Sequence, residues 1–335
     1  MVDADGPPRG VKPPGGRRRD APLRGDHTAH PLAHAFVPIA ILTVIWGCNW
    51  PVLKTGVQEI APLTFRALTL PFAAAGMLAV ARLSGDSIRI PREWWPRVLA
   101  LAFFNIAGWN GFVLFGVQQL PAGRSAIIAY TMPIWSTLIA MFVLHEPLNR
   151  RKIVGLVLGM LAMVVLLGDD IRHIRSTPIG AILILCAAIL WAIGTVLLRK
   201  WKPPIAQNTL SGWMMLAGWL PLAVAAPFFE THPWTYLGHL SAGAWFAILY
   251  NIFLAGTLAH WAWFTLARTL PVAVSSLSSL PVPVVGVFAG MIFLGERPGV
   301  AEFVALGLVI ASLFAVLFQP QEKRPQAAGA AEPEM

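Results

Sequence analysis

The sequence predicts an all-α integral membrane protein whose ten transmembrane helices form two inverted five-helix repeats. Three observations predict it. Of the 335 residues, 56% are hydrophobic and only 12% charged, with a mean hydropathy of +0.65, whereas an ordinary soluble domain is about 25% charged. Apolar runs, most of them near the roughly 20 residues that a helix needs to cross the hydrocarbon core, alternate with short charged or turn-forming breaks. Finally, a set of residues in the first half of the chain recurs in the second half at a fixed spacing.

The runs fall at 35–53, 64–83, 98–117, 122–144, 153–168, 178–198, 209–229, 242–267, 272–294 and 300–318. Residues 1–34 are rich in Pro, Gly and Arg and hold too few large apolar residues to fold, so a disordered basic arm is expected there, with a second disordered tail at 319–335. The first run is long enough to span and no small-residue cleavage pattern follows it, which argues for a retained helix and against a cleaved signal peptide. Cys48 and Cys186 each lie inside an apolar run, a pattern that supports neither a disulfide framework nor a metal site. They read as small packing residues.

Charge sets the orientation, because cationic loops are held on the cytoplasmic side. With the amino terminus inside, nineteen of the 25 lysines and arginines face the cytoplasm and six, including Lys54, Arg66 and Arg124, face outward. An even number of spans then places both termini in the cytoplasm. Trp94, Trp95, Trp201 and Trp234 fall between spans, where interfacial aromatic belts occur. The net charge of +9 is thereby explained by membrane orientation, and no nucleic-acid motif accompanies it.

The repeat is explicit. Leu120-Pro121, Ser125, Pro133, Met141, Leu144 and Glu146 recur 150 residues later as Leu270-Pro271, Ser275, Pro283, Met291, Leu294 and Glu296. Trp46 and Lys54 recur 145 residues later as Trp191 and Arg199. The units are 36–168 and 178–318. Five spans separate equivalent positions, and because five is odd the second copy inserts upside down. Two inverted copies can pack in two ways that exchange their roles and open a central site to opposite faces, which is the basis of alternating access.

These residues carry a resemblance. The Trp-Gly-x-Asn opening of the first span with Lys54 behind it, Leu-Pro-Ala-Gly-x-Ser-Ala-Ile-Ile at 120–128 followed by Pro133-Ile134-Trp135, Glu146-Pro147-Leu148, and Leu294-Gly295-Glu296-Arg297-Pro298 resemble the EamA family of the drug/metabolite transporter superfamily, over residues 36 to 318. The resemblance implies a ten-helix secondary transporter of the bacterial cytoplasmic membrane. Commonly such a protein exports amino acids or other small metabolites through a cavity lined by spans 1, 3, 4, 6, 8 and 9.

Polar residues inside apolar spans are costly unless paired or wetted, and this marks the candidates. Asn49 either bonds a neighbouring helix or faces a wet cavity. Pro51 frees a backbone carbonyl and either kinks the first span statically or lets its outer half act as a gate. Lys54 is either a snorkelling anchor or, with Arg199 as its inverted counterpart, a charge at a cavity mouth. Asn105 and Trp109 share a helical face and sit near mid-depth with Asn110, offering a flat apolar surface beside amides that suits an amphipathic metabolite or, alternatively, helix packing. Tyr130, Trp191, Thr195, Tyr250, Asn251 and Trp261 are candidates of the same kind, whereas Trp135 reads as a packing residue. His260 is the only histidine well inside a span, and it is either a proton-coupling group or a neutral hydrogen-bonded one. Pro133, Pro281 and Pro283 are hinge candidates; Ser275, Ser276, Ser278 and Ser279 precede the last two, as in a discontinuous helix or a close packing seam. Glu146 and Glu296 lie beside Arg150 and Arg297 and read as clamps at helix ends.

A membrane-embedded enzyme would need a catalytic constellation at one depth, and a receptor or scaffold an output domain or a long structured tail; the sequence offers neither. There is no Walker A sequence, no cofactor is implied, and the expected partners are a small-molecule substrate and membrane lipid. The oligomeric state is left open.

Overall fold

A computed structural model describes residues 31–147, 149–173, 179–230, 238–263 and 281–317. Among these lie ten helices: α1 (Pro31–Glu59), α2 (Pro62–Leu83), α3 (Arg92–Gln119), α4 (Ala122–Val143), α5 (Arg150–His173), α6 (Ile179–Trp201), α7 (Gln207–Phe229), α8 (Ala242–Trp263), α9 (Pro281–Leu294) and α10 (Val300–Leu317). Seven of them, α1–α4 and α6–α8, are long and apolar enough to cross a membrane. The predicted seryl run Ser275, Ser276, Ser278 and Ser279 lies outside the described residues, as do Leu270-Pro271, Trp234, the end of the eighth run and all of the two tails except the residues from Pro31 that begin α1.

Helices extend past the hydrophobic runs that predict them, because charged and polar residues at a membrane surface can continue a helix whose core is apolar. Thus α1 runs through Pro38 and Pro51 to Glu59, and α5, drawn from the sequence as a short span, is a 24-residue helix. Two spans are irregular at mid-length. Both α3 and α8 pass through π-helical segments, Phe103–Gly108 and Tyr250–Leu258. In α4, Ala122–Ala129 ends at Tyr130, and the helix restarts at Met132 with Pro133 in its first turn, where the missing N–H costs nothing.

The packing is reciprocal between the two copies. α1 packs on α9 as α6 packs on α4, and α3 on α6 as α8 on α1. α2 pairs with its own counterpart α7, and α5 with α10. A two-fold relation requires that each contact have such an image. Small residues bring α1 and α9 together: a Cβ on Gly47 would lie 2.4 Å from Val285 Cγ1, and one on Gly286 3.1 Å from Trp50 Cδ1. Two principal buried clusters result. One, around α1, α4 and α6, includes Trp50, Leu120, Ile127 and Ile184; the other, around α2 and α7, includes Leu70, Met77, Leu101 and Met214. Phe142, Phe228, Phe229 and Ile292 stand on the outer surface, the apolar face that lipid solvates.

One end of the bundle is closed by acids set against helix termini. α2, α4 and α8 start there with unpaired backbone N–H groups, and each start is met by a glutamate from another helix or its end. Glu230 accepts from Leu63 N (2.5 Å), Thr64 N (2.9 Å) and Thr64 Oγ1 (2.7 Å). Glu296 accepts from Ala122 N and Gly123 N, and Glu59 from Ser241 N and Oγ. Neither Ala61 nor Pro121, the N-cap residues of α2 and α4, supplies a side-chain acceptor, so the caps come from elsewhere. The other end is closed by ion pairs instead: Glu146 meets Lys152 at 3.2 Å and Arg199.

Candidate substrate cavity

Between the two copies lies a cavity of about 930 Å³ of empty space, counting solvent at its mouth. α1 contributes Trp46, Asn49, Trp50 and Leu53; α2 contributes Arg66 and Thr69; α3 contributes Trp109 and Asn110. Tyr130 sits at the break in α4, Trp191 on α6, Met215 on α7, and Asn251 and His260 on α8. The resemblance implies a ninth helix in this wall, but no residue of Pro281–Leu294 lines it; that stretch is drawn onto α1 by the glycine seam. α2 and α7 take part in its place.

The walls repeat the two-fold relation in detail. Trp46 stands edge-on to His260, with ring centroids 5.4 Å apart, and its equivalent Trp191 stands edge-on to Trp109 at 5.2 Å. Edge-to-face pairing fixes both indoles while leaving each a face for a ligand. Behind the walls, Asn105 donates to Trp191 O (3.2 Å), and its equivalent 145 residues on, Tyr250, donates to Ile45 O (2.7 Å). Each of these donors sits in a π segment, and each ties that segment to the neighbouring tryptophan-bearing helix. Asn105 and Tyr250 are therefore ties between helices, not cavity residues. The close approach is visible at Gly194, where a Cβ would lie 2.1 Å from Asn105 Oδ1.

The other predicted residues divide in the same way. Asn49, Trp109, Asn110, Tyr130, Trp191, Asn251 and His260 line the cavity, whereas Trp261 is over one-third exposed and does not. Asn110 and Asn251 donate their amides back to Ile106 O and Ala247 O of their own helices, and His260 donates through Nδ1 to Ala255 O at 2.8 Å. Asn49 Oδ1 is buried with no hydrogen-bond donor.

Lys54 and Arg199 do not line the cavity. Because α1 continues to Glu59, Lys54 lies inside the helix, and its ammonium donates to Val117 O, Gln118 O and Leu120 O at 2.9, 2.9 and 2.8 Å, capping the end of α3. Arg199 is spent on Glu146. Pro51 and Pro133 flank the cavity within α1 and α4; Pro283 is buried in α9 and Pro281 exposed at its start. Glu146 and Glu296 do close helix ends, but through Lys152, Arg199 and a helix amino terminus, not through Arg150 and Arg297.

Arg66 escapes a reading by hydropathy. It stands two residues into the second apolar run, where a cation counts as part of the loop. Yet α2 begins at Pro62, so Arg66 is one turn inside the helix and only 8% exposed. The available signal is its company: no acid lies within a helical turn of it in either direction.

A family model, the EamA-like transporter family, matches this chain twice, over residues 35–168 and 178–318. The chain is 27% identical to the uncharacterized transporter YoaV of Bacillus subtilis (strain 168), an alignment covering 84% of this chain and 96% of that one. It is 25% identical to a probable amino-acid metabolite efflux pump of Salmonella typhimurium, over 83% and 93% of the two chains. A solved crystal structure of 20% identity superposes with a TM-score of 0.62 over 84% of this chain and 96% of its own, a likeness of fold.

Proposed function

The chain belongs to the EamA-like transporter family, and on that premise we propose that it carries a small amphipathic metabolite, of the amino-acid kind, outward across the bacterial cytoplasmic membrane by alternating access. The observation that carries the proposal is the composition of the cavity wall, to which both inverted copies contribute equivalent elements: Trp46 with His260 from one pairing, Trp191 with Trp109 from the other. A rearrangement that exchanges the roles of the copies presents the same residues to the opposite face. Amides and indoles together suit a compound with one polar end and one flat apolar end.

Direction and orientation follow from chemistry of two kinds. The excess of lysine and arginine in alternate loops favours cytoplasmic termini. The efflux role of a relative supports export. The test is an untargeted comparison of metabolites in medium and cells with and without the protein overproduced. The expected result is a small set of amphipathic metabolites enriched in the medium and depleted in the cells; an unchanged profile overturns the proposal. Reporters fused to the two termini should both read the cytoplasm, and an external signal from either end would overturn the orientation.

A further inference from the structure

Arg66 is the only lysine or arginine among the described residues that line the cavity. A guanidinium has five N–H donors. Here one nitrogen, Nη1, donates to Asn251 Oδ1 at 2.9 Å, and Nε is buried with no acceptor. Among the described side chains no carboxylate lies within ion-pair distance of it. A cation at this depth with its Nε–H unmet is expensive to keep. Helix packing does not demand it either, since the equivalent position of the second copy, 145 residues on, is Ser211, which is also buried.

A second unmet group of opposite sense shares the cavity. Asn49 Oδ1 is an acceptor without a donor. The wall around the two is made of Trp46, Trp109, Trp191 and Tyr130. The cavity therefore lacks an anion at Arg66, a hydrogen-bond donor at Asn49, and an apolar body against the indoles.

Resting on the reading of this cavity as the transport path, we infer that Arg66 is the anchor for a substrate carboxylate. The carboxylate lies side-on to the Nε edge of the guanidinium, in the two-point geometry that arginine offers and lysine does not. An N–H or O–H group of the same molecule donates to Asn49, and its hydrocarbon or aromatic portion stacks on the tryptophans. The substrate class is thus a small amphipathic carboxylic acid carrying a donor group. Organic cations are excluded by the uncompensated charge of Arg66.

The experiment uses the purified full chain in detergent and follows tryptophan emission on titration with 3-phenyllactate and phenylalanine, and with the amides of both. Loss of one charged hydrogen-bonded pair corresponds to about tenfold or more in affinity, so the acids should bind at least about that much more tightly than their amides. Arg66→Gln should erase the preference, and Arg66→Lys should keep part of it. Equal binding of acid and amide by the unaltered protein, a preference that survives in Arg66→Gln, or no binding of either acid overturns the anchor. The acid-to-amide comparison needs no variant, so a misfolded Arg66→Gln does not protect the inference. The metabolite comparison separates the two readings: if overproduction expels only compounds that carry no carboxylate, the anchor falls and transport stands, whereas if it expels nothing, transport falls and takes the anchor with it.

Discussion

Glu296, at the end of α9, accepts hydrogen bonds from the backbone N–H groups of Ala122 at 2.5 Å and Gly123 at 3.1 Å, in the first turn of α4. The carboxylate thereby caps a helix whose own N-cap residue, Pro121, offers no side chain for the purpose. Removing an N-cap acceptor costs about 0.5–2 kcal/mol, and the α4 start is partly screened from water, so Glu296→Ala should fall at the upper end of that range. Glu296→Gln, which keeps an acceptor and loses the charge, should cost less. Thermal unfolding in detergent reads both; equal stability of Glu296→Ala and the parent would refute the cap.

Lys54 does the converse at the end of α3, holding three carbonyl oxygens at once. Lys54→Met keeps much of the stem and drops the charge. Hydrogen bonds to charged groups are worth about 1.5–3 kcal/mol, and a loss in that range is expected in unfolding measurements, with substrate affinity unchanged. A variant of parental stability but weakened affinity would return Lys54 to the cavity mouth.

Trp109 and Asn105 separate wall from tie. Trp109→Ala deletes one side of the cavity and should cut transport by about tenfold or more, since an aromatic stacking pair and its buried area are worth at least about 1.4 kcal/mol. Membrane abundance should hardly change. Asn105→Ala should instead lower thermal stability, because the hydrogen bond that ties α3 to α6 at Trp191 O is lost. The reverse pattern, measured by uptake or efflux against immunoblot abundance, would exchange the two assignments.

His260 is tested by pH. If it carries the coupling proton, transport by the parent should vary with pH, and His260→Gln should flatten that dependence. A variant with the parental pH profile would retire the role.

Glu146 gives a stability prediction with a definite sign. Partial burial pushes its carboxyl up, but hydrogen bonds and charge from Lys152 and Arg199 outweigh this and hold it below the ordinary value of 4.5. A depressed folded-state value means that the contribution is complete above the unfolded carboxylate value and disappears as pH falls through the lower folded one. Glu146→Gln should therefore be less stable than the parent at neutral pH, by about 0.5 kcal/mol given the exposure of the pair, and the gap should close below about pH 4. A gap that persists in acid would show that the ion pairs are not its source.

The ten helices were legible because burial in lipid demands long apolar segments, and the inversion because the recurrences fix the number of spans between copies. Function within the spans was harder to read. Lys54 lay at the edge of an apolar run, and hydropathy does not reveal that α1 continues to Glu59 and sets that ammonium against the end of α3. Arg66 was hidden by the same uncertainty at the start of α2. Asn105 shares a helical face with Trp109 on an ideal helix, but the π segment between Phe103 and Gly108 breaks the regular spacing, and the two residues meet different neighbours. Seven of the ten aromatic, amide and imidazole candidates nonetheless reach one cavity, because polarity at mid-depth has few other places to go.

The π segments divide the molecule in another way. Successive α-helical residues are about 100° apart around the axis, so a surplus residue turns everything beyond it by roughly that angle. Before its surplus, α3 inserts Val98 and Leu101 into the cluster around α2 and α7; after it, α3 inserts Val113 and Val117 into the cluster around α1, α4 and α6. A single rod thus serves two separate hydrophobic bodies with two different flanks, and the inverted rod α8 carries a π step of its own between the first cluster, through Ala247 and Ile248, and a third, smaller one, through Tyr250, Ala255 and Ala259. Relative rotation of those bodies does not require α3 to be severed, for the slack is already wound into the rod that joins them.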